Sequence, residues 1–177
     1  MMKKIIAILL CVTTLLTLCA CGAKENNEEA STEPASQTEN TTSADATVSD
    51  SALKKVYDDC LALMPEMYPL DADKMYNSYG VNPEDYVECY AAISADGMLA
   101  DEIWIIKAKD ADALKRIEEA AKNRIQAKDE ESITYSPEQN KIVKASKTIV
   151  VGDYFAFICS PDVDNIAKVC NDAAKNL

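Results

Sequence analysis

No histidine occurs in the 177 residues, and that absence removes more chemistry than any other. Ser-His-Asp and Cys-His constellations are impossible without it, and the commonest general base is lost with them. The four glycines, Gly22, Gly80, Gly97 and Gly152, are too scattered to build a phosphate-cradling loop. No C-x-x-C is present, so a zinc site would need thiolates from distant positions. No cofactor is expected. Basic residues are scarce as well, 18 against 30 acidic, which argues against nucleic acid because that footprint needs clustered Lys and Arg. Beyond the N-terminal segment no apolar run reaches membrane-spanning length.

What is present begins with an address. Lys3 and Lys4 precede an apolar run from Ile5 to about Leu18, and Leu18-Cys19-Ala20-Cys21 follows it. This is the pattern of a lipoprotein signal peptide, residues 1–20, with lipid attached to Cys21. Palmitate-type acyl chains on Cys21 would anchor the chain at the extracytoplasmic face of the cell membrane. Without the two leader lysines the formal charge is −14, suited to a domain standing off an anionic surface.

Residues 21–51 are rich in Ala, Ser, Thr, Glu, Asn and Gln and hold almost no large apolar side chain. They read as a disordered acidic linker, with a reach of roughly 30 Å for 30 flexible residues. Residues 52–177 are long enough for one hydrophobic core and read as a single domain. Its thiols, Cys60, Cys89, Cys159 and Cys170, are either buried and free or joined in up to two disulfides.

Hydrophobic spacing predicts a first helix from Ala52 to about Met64, ended by Pro65, and a short helix over 71–79 with Gly80 as its C-terminal cap. Alternation over Tyr86 to Ile93, then Asp96-Gly97, then the apolar run Glu102 to Ala108 predicts a hairpin closed by a tight turn. Asp110 and Asp112 open the longest helix, expected to end near Lys128 or Asp129. Pro137 seeds a short helix through Val143. A second hairpin over 147–151 and 154–159 turns at Gly152-Asp153, and Ser160 with Pro161 caps a last helix. The expected fold is α+β: two hairpins forming a four-stranded antiparallel sheet with helices mainly on one face.

Two groups of residues could carry function. Glu102 and Lys107 bracket an apolar strand with Trp104, the only tryptophan, between them. They could present a charged pair and an aromatic to a ligand, or Trp104 could simply fill the core. Tyr135, Pro137, Glu138 and Gln139 form an aromatic and polar turn that could line a groove with Arg124. Arg124 could equally pair with a carboxylate for structure.

Glu102-Ile103-Trp104-Ile105-Ile106-Lys107-Ala108-Lys109-Asp110, then Arg124, Tyr135-x-Pro137-Glu138-Gln139 and Gly152-x-Tyr154, after a lipobox and polar linker, resemble an uncharacterised clostridial lipoprotein family, domain of unknown function 4358. The resemblance spans about Tyr79 to Asp162, and Tyr154 within it is a further candidate binding residue. It implies a Gram-positive source and a shared fold, and brings no activity or ligand. The expected function is a non-catalytic binding or interaction module of the cell envelope. The alternatives are a carboxylate-dependent envelope hydrolase and a structural subunit of an envelope complex.

Overall fold

The chain divides into two units, Met1–Ala44 and Asp45–Leu177. The computed structural model describes residues 51–175, all in the second unit. The expected signal peptide, Cys21 and the expected linker up to residue 50 lie outside the described residues.

Ser51 accepts a hydrogen bond from the Lys54 backbone N–H at 3.0 Å and so starts α1 (Ala52–Leu61). Its hydroxyl also donates to Glu88 Oε2 at 2.6 Å, fastening the helix start to the sheet. The second helix expected from the sequence is α2 (Ala72–Tyr79), with Asp71 as N-cap and Gly80 at φ 75°, a left-handed conformation that glycine adopts without strain. Strands β2 (Tyr86–Ser94) and β3 (Glu102–Ala108) form the first hairpin. Helix α3 (Ala111–Tyr135) and α4 (Pro137–Lys144) follow. Strands β4 (Lys147–Val151) and β5 (Tyr154–Cys159) then turn at Gly152, φ 62°, before α5 (Val163–Ala174).

The sheet has five strands rather than four. The extra one is β1 (Met67–Leu70), which pairs antiparallel with β2 at the edge of the order β1-β2-β3-β5-β4. Pro65 and Pro69 masked it in the sequence, yet an edge strand tolerates proline because one row of its backbone groups needs no partner. The α+β class stands. The helices, however, cover both faces instead of mainly one. Ile103 and Ile105 point to a core shared with α1 and α5, while Trp104 and Ile106 point to a second core shared with α2, α3 and α4. Alternation along β3 feeds both layers, which is why its apolar run is continuous. Ala91 and Phe157 flank Trp104 in register, the small residue leaving room for the indole and the large one meeting it edge-on at 5.2 Å.

Three local expectations change. Asp96-Gly97 does not make a two-residue turn. The strands part at Ser94, and Asp96 Oδ1 and Ser94 Oγ accept backbone N–H groups from Met98 and Asp96, shaping a longer loop over 95–101. Helix α3 runs on to Tyr135, because its last turns pack on α4 rather than on the sheet and need no apolar stripe. Asn140 from α4 donates to Asp129 Oδ1 at 2.6 Å and to Ser132 Oγ at 3.1 Å, holding that extension. Helix α5 starts after Asp162, while Ser160 accepts the Asp162 backbone N–H and Pro161 stays in the turn before the helix. The four cysteines of the described residues are free thiols, Cys60 and Cys170 meeting Sγ to Sγ at 3.6 Å between α1 and α5.

Candidate functional site

The first residue of β3, Glu102, is fully buried, a position that a carboxylate occupies only when compensated. Three donors converge on it. Trp104, two residues along the same strand and on the same face, donates its indole N–H to Oε1 at 2.9 Å. Arg124 places Nε 3.0 Å from each oxygen and Nη2 2.7 Å from Oε2. Lys128 Nζ lies 2.9 Å from Oε2. The two cations are four residues apart, so one face of α3 delivers both. Arg124 also stacks its guanidinium 4.5 Å from the Tyr79 ring centroid. Burial works against its charge, but the hydrogen bonds and charge of Glu102 outweigh it and raise the Arg124 pKa.

This triad borders an open cleft of about 410 Å³ at the end of the β2–β3 hairpin. One side is the 95–101 loop and the other is the corner where α3 gives way to α4. Ser136 makes that corner, ending α3 and capping α4 through a hydrogen bond from Gln139 N–H, with Pro137 in the first helical position. Gln139 Oε1 accepts the Ala100 backbone N–H at 2.8 Å and ties loop to corner. Asp101 lines the cleft, is only 3% exposed, and its Oδ1 has no hydrogen-bond partner among the described residues. At the rim, Met98 is 74% exposed, Tyr135 81%, and Leu99 is also open to solvent. A second hollow of about 320 Å³ between α3 and β4 is lined by Glu118, Lys122, Ile125, Thr148 and Phe155; neither Glu118 nor Lys122 is buried.

The residues singled out in the sequence divide accordingly. Arg124, Tyr135 and Gln139 line the cleft, Glu102 and Trp104 lie beneath it, and Pro137 sets the helix start beside it. Lys107 and Tyr154 do not join them. Lys107 sits at the far end of β3 with Asp153 3.9 Å away, and Tyr154 is buried against α1 and α5 on the opposite face. Asp101, Lys128 and the apolar rim were not singled out. Lys128 carried a signal, its spacing of four from Arg124. Asp101 carried none, because its burial depends on the loop conformation.

The model of the family described as "Domain of unknown function (DUF4358)" matches residues 59–160, more than half of the chain. The chain belongs to this family. The matched span contains the whole triad and every residue of the cleft. No curated protein and no solved structure matches the chain.

Proposed function

We propose that this protein is a lipid-anchored, extracytoplasmic binding module of the cell envelope, held at the membrane through Cys21, with the cleft beside Arg124 and Lys128 as its ligand site. The lipobox and polar linker support the address. The observation that carries the site is the coincidence, in one open cleft, of the buried unpaired Asp101 oxygen, the cations of the triad and an exposed apolar rim. Small-molecule sites combine such an apolar lining with a few convergent polar groups. Glu102 spends both oxygens on Arg124, Lys128 and Trp104 and serves to position the cations.

A small-molecule and peptide screen on the isotope-labelled full-length protein tests the site. Ligands are expected to move the backbone amides of Met98 to Asp101, and Leu99→Arg is expected to abolish the response. Hits that map elsewhere, or steady turnover of a cell-wall or peptide substrate, would sink the reading. The hydrolase alternative rests on Asp101 and Glu131 lining the same cleft, and it requires turnover that Asp101→Asn removes. For the address, Cys21→Ala is expected to move the protein from membrane to soluble fractions with the fold intact. A variant as membrane-bound as the wild type would refute the anchor.

A further inference from the structure

Resting on the reading of the cleft as a ligand site, we propose that its ligand is a zwitterion, a free α-amino acid with an apolar side chain.

The cleft offers cationic donors and a carboxylate acceptor from different elements, and the two do not pair with each other. On α3, Arg124 and Lys128 both bind Glu102, and Glu131 on the same helix also acts on Arg124, so this wall carries no net positive charge and what it offers an anion is spare donors. Arg124 turns Nε and Nη2 to Glu102 and keeps Nη1, and Lys128 commits one contact of the three its ammonium can make. On the loop, Asp101 holds a buried acceptor without a donor, and no Lys or Arg nitrogen among the described residues lies within 4.0 Å of it. Folded proteins pair such atoms, so an orphan acceptor in a cleft marks where a donor belongs.

Each simpler ligand fails on one side. An anion satisfies Arg124 and Lys128 but meets Asp101 and Glu131, which line the same cleft. A cation pairs with Asp101 but leaves the spare donors of Arg124 and Lys128 without an acceptor. A neutral hydrocarbon covers Met98, Leu99 and Tyr135 yet leaves Asp101 without its donor. An α-amino acid supplies all three complements: its carboxylate for the cations, its ammonium for Asp101, and a side chain for the rim. Size agrees, since about 410 Å³ lies in the lower part of the range of small-molecule sites.

The test titrates full-length isotope-labelled protein with leucine, N-acetylleucine, which lacks the ammonium, and leucinamide, which lacks the carboxylate. Valine, isoleucine, methionine and phenylalanine are run in parallel. Leucine or another member of the panel is expected to shift the cleft amides and to bind at least about tenfold tighter than its single-charge analogues. Asp101→Asn keeps the shape and is expected to reduce zwitterion affinity about tenfold while leaving N-acetylleucine affinity unchanged, a split that a structural role would not produce. Should Asp101→Asn fold poorly, Leu99→Ala serves: it is expected to weaken leucine more than alanine. Analogues lacking one charge that bind in the cleft as tightly as the zwitterion would overturn the ligand class and leave the site standing. No movement of cleft amides with any amino acid at millimolar concentration would also overturn it. The wider screen then decides whether the site itself stands.

Discussion

The two faces of one sheet are built by the same strands to different rules. Toward α1 and α5 the core is aliphatic and aromatic, with Ile103, Ile105, Ala156, Ile158 and Ile166 fully buried and only the Cys60–Cys170 thiols and the hydroxyls of Tyr57 and Tyr154 as polar features, none of them charged. Toward α2, α3 and α4 it is equally apolar around Trp104, Phe155 and Phe157, but one end holds the Glu102 triad and opens into the cleft. Because β3 contributes alternate residues to both, a single strand carries a packing face and a site face. Stability can therefore be concentrated on one side while the other accommodates charge that an apolar core would exclude.

The largest expected effect tests the charged end. Glu102→Ala strands two largely buried cations and should cost about 4 kcal/mol in urea unfolding. Replacing Glu102, Arg124 and Lys128 together by Leu, Met and Met should recover most of that loss. A single-variant loss below about 1 kcal/mol would show that the triad is not the buried, mutually dependent unit described. Next is the packing face: Ile105→Ala should cost about 3 kcal/mol through lost burial and the cavity left behind. Its cleft amides should respond to ligand as in the wild type, and a changed response would mean that the two faces are coupled.

The third effect is alkaline. Burial pushes the thiol of Cys159, on the cleft side, up to about 12 from 9.0, and the half-buried thiol of Cys89 on the same side is raised in the same direction. The unfolded chain therefore loses these protons first. Their stabilisation is complete below pH 9 and is lost as pH rises toward 12, on the order of 1 kcal/mol for the buried Cys159 by pH 10. Urea midpoints measured from pH 8 to 10 should fall, and Cys159→Ala should flatten the fall by one thiol's share. A midpoint that is flat across this range would contradict the burial of these thiols.

Much of this organisation is legible in the sequence. The β4–β5 hairpin and α2 were marked by glycines that the observed positive φ values require, so local chemistry sufficed. Arg124, Tyr135 and Gln139 stood out as residue types, and they do share one cleft. The loop over 95–101 departs from the predicted tight turn because Asp-Gly is a strong turn signal only where the strands continue up to it. Here Ser94 and Asp96 divert the backbone into side-chain hydrogen bonds. Helix α3 extends past its predicted end because helix–helix packing through Asn140 leaves no apolar period to read. The burial of Asp101 is a tertiary outcome with no local signature.

The bond between Ser51 and Glu88 has a mechanical meaning. Any pull from the chain upstream arrives at Ser51 and passes into α1 and the Glu88 end of β2. Ser94, at the cleft, lies six residues further along that strand, about 20 Å at a rise of ~3.3 Å per residue. The path of load thus runs through α1 and the start of β2 and bypasses the α3–α4 corner that forms the far wall of the cleft.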